Sequence, residues 1–297
     1  MDTLEGTVAV VTGGAGGIGF ALACAAQAKG AKVVIADLRA EALEQAVERL
    51  ATRGEVLGVQ VDVASATDVE RLAQETFQRF GKVNLLFNNA GVFASGLTWE
   101  TSEAEYDWVI GVNQRSVIHG IRSFVPHMIA QRDPCHVVTI ASGAGITVNP
   151  GFCTYSMTKH AVVALTEALY LDLATEGIDN IGVTIVMPGM SRSDIMNPEK
   201  TGPAALREAL DARLQNRNLR AIEEMMRSGV KEGLPAEDLA AMVLDAVSAG
   251  KLYVLPAFTD EGSQAIAQAV GIGRATGNNP YPQILAGLHA RLQDQPA

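Results

Sequence analysis

The chain has 297 residues, 48% of them apolar and 19% charged. That supplies a sizeable core and excludes intrinsic disorder as the main state. A net charge of −10 repels phosphate backbones and argues against a nucleic-acid partner, while leaving room for a small nucleotide in a local pocket. Length alone fits one large domain or two ordinary ones.

Cys24, Cys135 and Cys153 form no C-x-x-C, which suits a reducing compartment and offers no disulfide or zinc framework. His119, His127, His136, His160 and His289 make no ligand-spaced cluster, so no metal is expected. Residues 1–6 lack the basic stretch and apolar core of a signal peptide. No apolar run approaches the ~20 residues that span a bilayer. The expectation is a soluble cytoplasmic protein with no membrane partner.

In chain order, short β-branched runs alternate with longer helical patterns. Candidate strands are residues 8–11, 32–36, 56–61, 84–87, 136–140, 182–187 and 252–255. Helical patterns follow the first strand through residue 29 and cover 40–50, where Leu43, Val47 and Leu50 share a face. Several strands are apolar throughout, as when helices cover both sheet faces. Repeated βα units predict an α/β fold with a doubly wound parallel sheet. Two segments break the alternation. Residues 190–234 carry Leu206, Leu210, Leu214, Ile222, Met225 and Met226 at roughly helical spacing. The tail, 256–297, contains the turn-rich stretch 277–282 and then Ile284, Leu285, Leu288 and Leu292, read as a short amphipathic helix.

The first strand runs into Thr12-Gly13-Gly14-Ala15-Gly16-Gly17-Ile18-Gly19 and then a helix. Such glycines let the backbone turn sharply and approach a pyrophosphate, which the helix N-terminus favours. A Gly-rich turn also occurs with no ligand, but here Asp37 closes the second strand. Its carboxylate is placed to accept from an adenine-ribose diol and to repel a 2′-phosphate, so NAD is favoured over NADP. Arg39 could soften that preference, or be simply an exposed helix-start residue. Asp62-Val63 follows the third strand, where the acid could meet the adenine amino group. Asn88-Asn89-Ala90-Gly91 follows the fourth, with small residues for close approach and amides that can lock the strand or touch the cofactor.

Tyr155 and Lys159 lie four apart, on one face of a helical stretch. A free Tyr, with a pKa of about 10, is a poor base, and a neighbouring cation favours its phenolate. A lone Y-x-x-x-K also fits a solvated helix face. Ser142, just beyond the fifth strand, can donate to a developing alkoxide while Tyr155 exchanges the proton. Asn113 lies in a long helical stretch, where by itself it reads as a polar residue satisfying a helix irregularity.

Gly13 to Gly19, Asn88 to Gly91, Asn113, Ser142, Tyr155, Lys159 and Pro188-Gly189 occur in the order and spacing of the short-chain dehydrogenase/reductase family. The resemblance is to its T-G-x-x-x-G-x-G branch and covers about residues 5 to 255. It implies a Rossmann-type sheet of seven strands in the order 3-2-1-4-5-6-7 and assembly as a homotetramer or homodimer. It also implies roles: Tyr155 as general acid/base, Ser142 polarising the substrate oxygen, Lys159 binding the nicotinamide ribose and lowering the Tyr155 pKa, and Asn113 holding a water on the proton path. Cofactor contacts then fall to Gly13, Gly17, Ile18, Gly19, Asp37, Asp62, Val63, Asn89, Ala90, Gly91, Tyr155, Lys159, Pro188, Gly189, Ser191 and Ser193. After Pro188-Gly189 the family usually has an apolar residue and then Thr; Ser191 and Ser193 stand there, and Ser193 keeps the hydroxyl. Enoyl-type reductases space Tyr and Lys further apart.

The expected reaction is hydride transfer between NAD and a hydrophobic secondary alcohol or its ketone. The substrate is expected among Phe93, Ser142, Ile146, Val148, Phe152, Met190, Ile195 and Met196, although many of these could simply pack in the core. Epimerisation or dehydration on the same fold, and a non-catalytic nucleotide-binding regulator, are the alternatives. On this reading residues 1–255 form one catalytic domain, with 190–234 as a substrate lid. Residues 256–297 form an extension serving as lid or subunit contact.

Overall fold

Strands buried at every position need cover on both faces, and β1 (Val8–Thr12), β4 (Leu85–Asn88) and β5 (Cys135–Ile140) are buried throughout. The computed structural model describes residues 3–197 and 202–293. Its other strands are β2 (Lys32–Asp37), β3 (Val56–Gln60), β6 (Ile181–Val186) and β7 (Tyr253–Val254). All neighbours pair parallel, in the order β3-β2-β1-β4-β5-β6-β7. The sheet is thus the doubly wound one that the sequence implies. Strand ends differ from the sequence reading by a residue or two; β7 shrinks most, because only Ile185 and Val186 of β6 pair with it.

The helices, in chain order, are α1 (Gly17–Ala28), α2 (Ala40–Ala51), α3 (Ala66–Phe80), α4 (Glu103–Ile110), α5 (Ser116–Gln131), α6 (Cys153–Thr175), α7 (Ala204–Arg213), α8 (Arg217–Glu232), α9 (Ala236–Ser248), α10 (Glu261–Thr276) and α11 (Tyr281–Gln293). A π-helical turn (Gly111–Arg115) joins α4 to α5. Alternate residues of β1 serve the two layers. Ala9 and Val11 pack with Leu22 of α1, Leu50 of α2 and Leu239 of α9. Val8 and Val10 pack with Leu72 of α3 and Phe124 and Met128 of α5. Strand order reverses between β1 and β4, which opens a crevice beyond their carboxyl ends.

The segment after β6 forms α7 and α8, with Leu206, Ile222 and Val230 buried. The side chains of Leu210, Leu288, His289 and Leu292 lie outside the described residues. The tail holds α10 as well as the terminal helix expected from the sequence. Its ends are marked: the Asp260 side chain accepts from Ser263 N–H, and Gly277 closes the helix at φ 79°. Both signals were readable, but α10 has a weakly periodic apolar pattern, with only Val270 and Gly273 buried. Among the described residues no helix is long and apolar enough to cross a membrane.

Candidate active site

The turn after β1 bends at Gly13 (φ 63°) and Gly17 (φ 50°), left-handed conformations that favour glycine. A Cβ at Gly13 would lie 3.0 Å from Ala90 Cα, and one at Gly19 would strike the Gly13 carbonyl. α1 follows Gly16 at its N-cap, with no side-chain cap and no acid in its first turn. Its leading N–H groups therefore face the crevice, an arrangement that suits a pyrophosphate. Thr12 stitches this turn to the end of β4. Its hydroxyl accepts from Asn89 N (3.0 Å) and Ala90 N (3.2 Å), and Asn89 Nδ2 donates back to Thr12 O at 2.8 Å. Asn88 turns the other way. Its buried amide lies against Gly120 on α5, where a Cβ would strike Asn88 Oδ1, and it does not line the crevice.

Asp37 ends β2, buried, and accepts from Ala15 N at 3.2 Å. Arg39 is not the simple exposed helix-start residue of the sequence reading. Its Nε sits 3.1 Å from Asp37 Oδ1, with 31% of the side chain exposed. The hydrogen bond to Asp37 raises the Arg39 pKa. The carboxylate thus stands at the rim, partly neutralised by its neighbour.

Tyr155 and Lys159 lie near the start of α6, both buried. Lys159 Nζ is 5.6 Å from the Tyr155 ring centroid and donates to the Ile140 carbonyl at 2.9 Å. Burial lowers the Lys159 pKa from 10.5 to about 8. Burial also raises the Tyr155 pKa, and the Ser142 hydroxyl bonded to the phenol pulls it back down. This differs from the sequence expectation, in which the Lys159 cation would bring Tyr155 down: desolvation is the larger influence on both groups. Ser142 Oγ also accepts from Ala144 N at 3.1 Å.

Asn113 sits in the π-helical turn, so the helix irregularity is real. Its Oδ1 accepts from Val92 N (2.7 Å), and its Nδ2 donates to Val92 O (3.0 Å) and Thr158 Oγ1 (3.2 Å). It lies behind the crevice wall: a Cβ on Gly91 would be 3.5 Å from both Asn113 Oδ1 and Lys159 Nζ.

The crevice deepens into a cavity of about 850 Å³. Every residue named above as a cofactor contact lines it, as do Phe93, Ser142, Phe152, Met190, Ile195 and Met196. Phe93 meets Phe152 edge-on at 4.9 Å and Tyr155 at 5.2 Å. Met196 and, from α8, Ile222, Met226 and Val230 pack onto these rings. Ile146 is a correction: it packs with Val162, Val163 and Met187 in a separate core cluster and does not line the cavity. Val148 is exposed and also stays outside. The same 143–152 segment instead contributes Thr147 and Asn149, polar residues the sequence reading passed over. The tail adds Ala257, Phe258, Ser263 and Ile266. Nothing local in the sequence marks these four; their approach is permitted by Gly143 and Gly189, whose Cβ positions would lie 2.7 Å from Ala257 Cβ and 3.2 Å from Ala257 Cα.

Comparison with known proteins places the chain in a family. A family model described as short chain dehydrogenase matches residues 7–203. A short-chain dehydrogenase/reductase from Burkholderia phymatum, solved in complex with NAD, superposes with a TM-score of 0.86 at 36% identity, covering 94% of this chain and 98% of that one. The C alpha-dehydrogenase of Sphingobium sp. is 35% identical over 258 residues, 86% of this chain and 82% of that protein. A Burkholderia cenocepacia short chain dehydrogenase in complex with NADP superposes at a TM-score of 0.68 with 27% identity, over 84% of this chain and 97% of that one. The chain belongs to the short-chain dehydrogenase/reductase family, whose members are NAD(P)-dependent oxidoreductases acting on CH–OH groups.

Proposed function

We propose that this oxidoreductase prefers NAD and interconverts a bulky apolar or aromatic secondary alcohol and its ketone, with Tyr155 as general acid/base. The observation that carries this reading is the position of Tyr155. Its phenol meets Ser142 and its ring packs on Phe93 in the cavity wall, so an alcohol oxygen held there is within reach of both hydroxyls. In the oxidative direction Tyr155 takes the hydroxyl proton while Ser142 donates to the oxygen as its charge develops. Lys159 holds a positive charge behind the phenol, and Asn113 fixes the Val92 backbone beside it. The nicotinamide, when bound, supplies the hydride acceptor. The Gly13–Gly19 turn, Asp37, Asp62, Val63, Asn89 to Gly91, Pro188, Gly189, Ser191 and Ser193 would hold that cofactor.

NAD is favoured because the buried Asp37 carboxylate disfavours a 2′-phosphate; the NAD-bound Burkholderia phymatum relative is consistent with this. The full set of Asn113, Ser142, Tyr155 and Lys159 speaks against a regulator that has lost catalysis. Residues 190–197, α8 and the start of the tail close the chamber. Assembly as a homodimer or homotetramer would cover Met157, Tyr170 and Leu171, apolar side chains that α6 leaves exposed.

The test is initial rates with 1-phenylethanol, 1-(2-naphthyl)ethanol and 1,2-diphenylethanol, with NAD and with NADP, read by absorbance of the reduced cofactor. Tyr155→Phe should lower kcat on the order of 10²–10⁴-fold while NADH binding, followed by fluorescence, is retained. Turnover retained in Tyr155→Phe would sink the acid/base role, and a preference for NADP would refute the reading of Asp37.

A further inference from the structure

We propose that Arg213 is a positioning residue: it latches the α7–α8 pair onto the 95–105 segment and so sets which substrates the chamber holds.

α7 has little apolar surface with which to hold itself down. Of its described side chains only Leu206 is buried, and Arg213 in the last turn is the other one turned inward. The Arg213 side chain is 8% exposed and gathers three acceptors from one stretch of chain. Nη1 donates to the Ser95 carbonyl at 3.0 Å, and Nη2 donates to the Glu100 carbonyl at 3.4 Å and to Glu105 Oε2. Glu105 is fully buried; its Oε2 also accepts from Ser102 N (2.9 Å) and Ser102 Oγ (2.6 Å). A planar guanidinium fork, with donors fixed on separate nitrogens, can serve such divergent acceptors at once.

The contact is built rather than casual. Gly96 leaves the room for it, since a Cβ there would lie 2.6 Å from Arg213 Nη1. Ser95 also meets the second lid helix, its Oγ donating to Glu223 Oε2 on α8 at 2.8 Å. The same short stretch then reaches the reacting end. Gly96 N donates to Gly151 O at 2.9 Å, and Gly96 bridges to Phe152, one of the rings around Tyr155. The last turn of the lid's first helix is therefore tied, through two backbone links, to the aromatic wall. Ile222, Met226 and Val230 of α8 close on that wall from the other side. Releasing Arg213 frees the ceiling of the chamber and leaves the Tyr155–Ser142–Lys159 geometry in place.

Removing Arg213 alone would strand the buried Glu105 carboxylate, a strongly destabilising change. The informative protein is the full-length double variant Arg213→Met/Glu105→Gln, in which the side-chain amide oxygen introduced on α4 still accepts from Ser102, compared with Arg213→Lys. Amide hydrogen exchange reads the latch without any substrate. Exchange over 204–232 should rise about tenfold or more in the double variant, with β1, β4 and α6 unchanged, and less in Arg213→Lys. The kinetic half rests on the proposed function: KM for 1,2-diphenylethanol should rise about tenfold, with kcat within about twofold and NADH affinity unchanged. Unchanged exchange over 204–232 would overturn the latch, as would a fall in kcat with no change in KM. If the parent protein oxidises none of the three alcohols, the proposed function fails, while the exchange result still decides on Arg213.

Discussion

The two ends of the cavity are built by different means. At the end proposed for the dinucleotide, the walls are the last residue of a strand or the turn just beyond it: Gly13 to Gly19 after β1, Asp37 on β2, Asn89 to Gly91 after β4. Parallel strands with fixed register bring these together with little freedom, and Thr12 bonds β1 directly to the end of β4. At the end proposed for the substrate the walls come from α8, the 190–197 stretch, the 143–152 loop and the tail. These are held by side-chain contacts and a few single backbone bonds, such as Leu234 N to Met190 O (2.9 Å) and Ala257 N to Met187 O (3.1 Å), between pieces far apart in sequence. The first kind of site follows from the fold itself. The second kind can be rebuilt while the sheet stays the same.

Substitutions should separate the two ends. Ser142→Ala is expected to lower kcat on the order of 10²–10³-fold. Ser142 draws the Tyr155 pKa down against burial, so its loss leaves that pKa higher. The rise of the oxidation rate with pH should then shift to higher pH. A pH–rate profile with an unmoved rising limb would show that Ser142 does not act through the phenol.

Lys159→Met tests a cost carried where the two ends meet, beside Tyr155. Burial holds the Lys159 pKa near 8 rather than 10.5. Below pH 8 the ammonium is charged in both folded and unfolded chains, and the folded protein bears the full desolvation cost, about 3 kcal/mol. As pH rises through 8 the folded state loses its proton first; above about 10.5 both states are neutral and the cost is gone. The variant loses the charge-assisted hydrogen bond to the Ile140 carbonyl, worth about 1.5–3 kcal/mol. It should be inactive, with urea stability at pH 7 equal to or slightly above the parent's, and its stability relative to the parent should fall as pH rises toward 10. A variant less stable at pH 7 would show that the buried ammonium is compensated elsewhere.

The smallest effect is expected at the substrate end. Deleting residues 260–297 removes Ser263 and Ile266 from the wall, together with the contact of Arg274 Nη2 with His160 Nε2 (3.2 Å) on α6. KM for the bulky alcohols should rise about three- to tenfold with NADH affinity unchanged. Equal KM values and unchanged assembly would remove the tail from the substrate site.

The same contrast explains what could be read from the residues alone. The strand-end motifs are local in sequence, so spacing was enough to bring Asp37, Asn89 and the Tyr155–Lys159 pair to one crevice, and the sheet order followed from the family resemblance. Ile146 was misplaced because an apolar residue in a loop carries no sign of which cluster it joins. Thr147 and Asn149 were passed over because apolar walls were expected there. Arg213 and Glu105 lie more than a hundred residues apart, and no periodicity links an acid on α4 to a base on α7. Arg39 was legible as a neighbour of Asp37, but its ion pair depends on a rotamer that the sequence does not record.

The π-helical turn at 111–115 has a consequence for residue numbering along the α4–α5 stretch. An α-helix advances about 100° per residue, so the wider turn makes α4 and α5 two segments out of phase with each other. Upstream of it Glu105 and Val109 face inward; downstream Gly120 meets Asn88 and Phe124 meets the sheet. Rewinding 111–115 as regular α-helix with every residue kept would swing all downstream side chains by about a quarter turn, bringing bulk against Asn88 where Gly120 now fits. The wider turn therefore absorbs one residue: deleting one within 111–115 would regularise the helix with the downstream side chains still in phase, and would cost the position that Asn113 holds.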